Sequence, residues 1–151
     1  MDVTSTRTVF TPATALKPGE RRLATFRGDR ATYWREHAWI AAVAMAAGMA
    51  ILWALGNPHV WTGAVGGLFA IAVRAFYLAS DEIRMEWWLT DRRLLGPGAR
   101  AVALENVDAV RGLFSAVQVV TVSGDKHLLK YQADPGAVIA GIDDARGRRP
   151  A

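Results

Sequence analysis

The chain has 151 residues, 52% hydrophobic and 21% charged, with a formal net charge of +4 and no cysteine. That length holds one modest domain, or a membrane hairpin with a small domain. The lack of cysteine excludes a disulfide framework, a thiol nucleophile and any Cys-based metal site. Lys and Arg flanking apolar spans account for the positive balance without nucleic acid as a partner.

Residues 1–37 read as a cytoplasmic N-terminal segment. Residues 1–16 are rich in Thr, Ala and Val without a period, the pattern of a loose tail, and Lys17-Pro18-Gly19-Glu20 is a turn. From Arg21 to Arg35, Leu23, Phe26, Tyr33 and Trp34 are interleaved with five arginines. Two readings fit this stretch: an interfacial segment leaning on anionic lipid, and a simple lead-in to the first apolar run.

Residues 38–79 are expected to form a transmembrane hairpin. Ala38–Leu55 is free of charge, and Val60–Ala79 carries one, Arg74. At 1.5 Å per residue the two helices reach about 27 and about 30 Å, near the thickness of the hydrocarbon core. The four residues between them, Gly56-Asn57-Pro58-His59, are turn formers, and Pro58 cannot continue a helix. Trp53 and Trp61 lie beside the turn, with Trp34, Trp39 and Tyr77 towards the other face, as membrane-anchoring aromatics do.

A signal peptide fits poorly, because 37 residues precede the first run and a second run comes directly after it. A buried core hairpin fits poorly too, since no other segment is large enough to cover two all-round apolar helices. A shallow hairpin in one leaflet stays open and leaves the termini on the same side.

Seven Lys/Arg precede the first run, none lies in the turn, and ten follow the second. The positive-inside rule then places both termini in the cytoplasm. Arg74 lies five residues before the cytoplasmic end, about 7–8 Å deep, where it snorkels to phosphates as an anchor. Gly63-Ala64-Val65-Gly66-Gly67 is a small-residue motif open to packing within the hairpin or between copies.

Residues 80–151 are expected to form a small antiparallel β domain with a C-terminal helix. Met85, Trp87 and Leu89 alternate with Glu86, Trp88 and Thr90 as one strand. Asp91-Arg92-Arg93 makes a hairpin turn, and Arg93–Leu95 returns. Further strands are expected at Ala101–Leu104, Val107–Arg111, Val117–Val122 and His127–Gln132. Asp134 and Pro135 open a terminal helix that runs to Arg146, with positive charge continuing through Arg148 and Arg149. Val120, Val122, Leu129, Val138 and Ile142 are the expected core.

In this order the motifs resemble the bacterial pleckstrin-homology-like membrane proteins of the two-span type. Pro18-Gly19-Glu20, the hairpin, Trp87-Trp88-Leu89-Thr90-Asp91-Arg92-Arg93-Leu94 and Val102–Val110 match the family's sequence of features, with Ala103 where the family has Pro. The resemblance covers roughly residues 17–145. It implies an α+β membrane protein in which a two-helix hairpin precedes a PH-like β domain, sited in a bacterial plasma membrane with both termini cytoplasmic.

No catalytic, metal or cofactor-binding residues emerge. His37, His59 and His127 have no ligand spacing, and adjacent Asp143 and Asp144 face apart on a helix. The expectation is a non-enzymatic membrane-anchored module, a scaffold or binding protein whose partners are the bilayer and either another protein or a second copy. The alternative is an anionic-lipid-engaging module that uses Arg84, Arg92, Arg93 and Arg100. A small pore is the weakest reading, because neither span carries a polar stripe.

Overall fold

The computed structural model describes residues 9–148. Its layout is α+β, built from two compact units. One is the helix pair Arg30–Ser80; the other joins the residues up to Asp29 to those from Asp81 onward. Thr4 and Arg7 of the expected tail, and Arg149 of the terminal positive run, lie outside the described residues.

The helix pair comprises α1 (Arg30–Ala54) and α2 (Trp61–Arg84). Both are long and apolar enough to cross a membrane. They run past the apolar stretches at their polar ends, since nothing between Arg30 and Ala38 or between Ser80 and Arg84 breaks a helix. Helix α1 closes in a Schellman motif. Gly56 takes φ +68°, its N–H donates to Trp53 O at 3.0 Å, and Asn57 N–H donates to Leu52 O at 2.9 Å. The Asn57 side chain then accepts from His59 N–H at 2.8 Å, which fixes the reversal.

Small residues let the two helices meet. A Cβ on Gly67 would lie 2.6 Å from Ala44 carbonyl carbon, and one on Gly63 would lie 2.7 Å from Met49 N. The Gly63/Gly67 motif is therefore spent inside the hairpin, against Ala44 and Gly48. Towards the other end Tyr33 is fully buried, and its hydroxyl donates to Ala75 O at 2.7 Å. Trp34 packs edge-on to Phe76, with centroids 5.3 Å apart.

The second unit contains, among the described residues, seven strands in two antiparallel sheets: β1 (Arg22–Arg27), β2 (Glu86–Thr90), β3 (Arg93–Leu95) and β4 (Ala101–Ala103), then β5 (Val107–Leu113), β6 (Ala116–Thr121) and β7 (Lys126–Leu129). Helix α3 (Pro135–Gly147) comes last, with Asp134 accepting from Ala137 N–H at 3.0 Å as its N-cap. The β2–β3 turn and the chain order of the later strands agree with the sequence pattern.

Three features differ from the sequence reading. The stretch read as a lead-in or interfacial segment contains strand β1, which pairs with β2 from Arg22↔Thr90 to Arg27↔Glu86. Residues 11–13, read as loose tail, run beside Gly98: Gly98 N–H donates to Thr11 O at 3.1 Å and Ala13 N–H to Gly98 O at 2.8 Å. Strand β6 turns the opposite face inward. Val117 and Val119 are fully buried, whereas Val120 is half-buried and Val122 is 71% exposed. A β-branched run is apolar in both phases, so its pairing chooses the face.

The core is continuous across both sheets and α3. Trp87, Leu89, Leu94, Leu104, Val117, Val119 and Leu129 pack with Val138, Ile142 and Ala145 of the helix. Ile142 is fully buried, and Phe26 of β1 packs against the same cluster. Burial on that scale makes α3 a plug of the sheet unit, not an appendage.

Candidate functional site

Strand register divides the four candidate arginines between two ends of the first sheet. Arg84 ends α2 just before β2, and Arg100 immediately precedes β4, where its carbonyl accepts from Gly96 N–H at 2.8 Å. Arg92 and Arg93 lie beyond the far end of β2, and Arg93 pairs with Ala103. The five residues of β2 separate the two pairs, roughly 17 Å at strand rise. The four side chains do not form one cluster.

Arg93 is committed to the fold. Its Nη2 donates to Glu20 Oε2 at 2.6 Å and its Nε to Glu20 Oε1 at 3.0 Å, a bidentate fork. Nη2 also reaches Ala15 O at 3.2 Å. Thr90 Oγ1 donates to Glu20 Oε1 at 2.7 Å and accepts Arg93 N–H at 2.8 Å, and Lys17 N–H donates to Glu20 Oε2 at 2.7 Å. The Pro-Gly-Glu turn and the Thr-x-x-Arg hairpin, 70 residues apart, are thus two halves of one buried lock. The Arg93 fork holds the Glu20 carboxyl down at about 2, against the cost of burial, and Glu20 in turn raises the Arg93 guanidinium.

Arg84, Arg92 and Arg100 are exposed. Arg100 borders a groove that is also lined by Met85, Trp87, Lys126, His127 and Lys130. Lys130 is paired with Glu82 at 3.2 Å. His127 stands edge-on to Trp87, with centroids 6.1 Å apart.

The residues expected to anchor the chain lie in the helix pair. Trp39, Trp53, Trp61 and Tyr77 are each at least 64% exposed, Arg74 is exposed, and Trp34 is half-buried. Four bulky aromatic rings are thus exposed on apolar helices, an arrangement uncommon on surfaces that face water.

His37 is buried and stacks on Tyr33, with its Nδ1 2.9 Å from Tyr33 O. His59 is exposed in the turn. Among the described residues no group of three His, Cys, Asp or Glu side chains is placed to hold a metal ion.

Two features escaped the sequence reading. The partnership of Glu20 with Thr90 and Arg93 had a signal in the two motifs, but sequence carries no distance between them. The other is the β5–β6 hairpin tip, where Phe114 is 96% exposed at φ +56°. Its only trace in sequence is an aromatic residue where a turn usually has Asn or Gly. No family model, curated protein or solved structure matches the chain.

Proposed function

We propose that this chain is a non-enzymatic, membrane-anchored module of PH-like type, which presents its sheet unit at the cytoplasmic face of a plasma membrane for docking by a protein partner or a second copy. The observation that carries this reading is the way the chain is assembled. An outward-apolar helix pair is inserted between β1 and β2 of a separate sheet unit. Membrane-competent windows in α1 and α2 bury only 11% and 6% of their residues. A water-facing surface of that kind is unfavourable, and lipid resolves it. The four-plus-three strand arrangement with a C-terminal helix supports the PH-like resemblance.

Docking by protein draws on the exposed turn at Arg92, at the opposite end of β2 from Arg84. Anionic-lipid engagement is the second reading, favoured by Arg84 and Arg100 at the other end. Photo-crosslinking in cells from position 92 and from position 100 separates the two. A discrete protein adduct or a dimer from position 92 is the expected result. Adducts to lipid alone from both positions would overturn protein docking in favour of the lipid reading.

A further inference from the structure

Strands β5 and β6 are joined by a two-residue turn, Phe114-Ser115, closed by the Leu113↔Ala116 pair. Turns of this length favour Asn and Gly because their central residues take positive φ. Phe114 adopts φ +56° with 96% of its surface exposed, and its neighbour Leu113 is 49% exposed. The strained backbone supports an aromatic ring that adds nothing to the folded core. A bulky apolar pair held out at a rigid hairpin tip is a contact surface awaiting an apolar medium.

The tip is wired to both chain segments that lead into the apolar spans. One peptide group bridges to the first: Gln132 N–H donates to Ser115 O at 2.8 Å, and Tyr131 O accepts from Asp29 N–H at 2.6 Å. Asp29 immediately precedes α1. The second link comes from register. The Val117↔Leu129 pair sets Lys130 beside Ala116, and Lys130 is ion-paired with Glu82 at 3.2 Å. Glu82 lies three residues past Ala79, the end of the apolar run, or roughly 5 Å along a continuous helix. The polar layer on each side of the hydrocarbon is about 5–7 Å deep. Arg111, exposed on β5, adds positive charge near the tip, which suits anionic headgroups.

We infer that Leu113 and Phe114 insert into the headgroup–acyl boundary of the membrane that the helix pair spans, pinning the sheet unit to the bilayer at a third point. The inference rests on the membrane reading above, and its occupant is lipid, not protein. It explains why an aromatic residue, with its preference for the interface, stands where turn geometry favours Asn.

The test uses the full chain, which has no native cysteine, reconstituted in vesicles of mixed phosphatidylcholine and phosphatidylglycerol. An environment-sensitive fluorophore is attached at Ser115→Cys, at Val122→Cys beyond the other end of β6, or at Val65→Cys in α2. Quenching by lipids spin-labelled near the top or near the bottom of the acyl chain is then measured. Position 115 is expected to be quenched by the shallow label, position 122 by neither, and position 65, about 7–8 Å inside the apolar run, by both labels. Phe114→Asn, which tolerates the turn's positive φ, is expected to reduce quenching at 115 several-fold. If position 65 is quenched but position 115 behaves like 122, the hairpin-tip inference is overturned and the membrane reading stands. No quenching at position 65 overturns the membrane reading and this inference with it. Unchanged quenching at 115 in the Phe114→Asn chain overturns the role of Phe114.

Discussion

Glu20 has a fully buried side chain and takes four hydrogen-bond donors: two from Arg93, one from Thr90 and one from the Lys17 backbone. Its ionised form is favoured in the fold, which depresses its pKa from the ordinary carboxylate value to about 2. A depressed acid stabilises the fold above its unfolded pKa, and that stability is lost as pH falls towards the folded value. The loss therefore belongs between about pH 5 and pH 2, with a size of about 3 kcal/mol. Glu20→Gln is expected to be destabilising near neutral pH, because it leaves Arg93 buried without its counter-charge. It is also expected to flatten the acid limb of a thermal-unfolding series. An acid limb identical to that of the parent chain would show that Glu20 is not the titrating group. The motifs on both sides of this lock were legible as an ordered pair. Their contact was not, because only folding of the intervening hairpin returns residue 20 to residue 93.

Along the helices, what sequence offers is a set of small residues, and what packing adds is a choice among them. A Cβ on Gly67 would strike the Ala44 backbone, whereas one on Gly66 meets nothing within 4 Å. Gly67→Leu is therefore expected to part the helices, at a cost of about 1–3 kcal/mol if they adjust, while Gly66→Leu is expected to be silent. Thermal unfolding in detergent, with disulfide trapping between engineered cysteines on α1 and α2, reports both. Equal effects at the two positions would contradict the assigned interface. The strands make the same point through period two. Val117–Val122 was readable as a strand, yet the buried residues are Val117 and Val119, and Val122 is exposed. Ile142→Asp is expected to destabilise the sheet unit by several kcal/mol, since it buries an unpaired charge. Val122→Asp is expected to leave protease resistance unchanged. Strand β1 escaped notice because its short sequence, Arg22–Arg27, is flanked by arginines and aromatics that fit an interfacial segment equally well.

At the scale of the whole chain, the sheet unit is discontinuous in sequence, with β1 contributed from ahead of the helix pair. A chain starting at Arg30 is accordingly expected to lose the β1–β2 ladder together with the Glu20–Arg93 lock. Proteolysis of its C-terminal segment should then be faster, and an unaltered digestion rate would contradict the shared unit. The helix pair itself was legible because long uncharged runs carry a signal that no pairing partner modifies. The β1–β2 pairing was less legible, since it depends on contacts such as Arg22↔Thr90 between segments far apart in the chain. Membrane placement of the hairpin, with the sheet unit inside, is the central claim. Its most direct test is labelling of His59→Cys and Ser123→Cys in intact cells with a membrane-impermeant thiol reagent. Label is expected at position 59, in the turn that carries no Lys or Arg, and at position 123 only after lysis. Label at position 123 in intact cells would contradict the orientation, and equal labelling of both positions before lysis would contradict the hairpin's placement across the membrane.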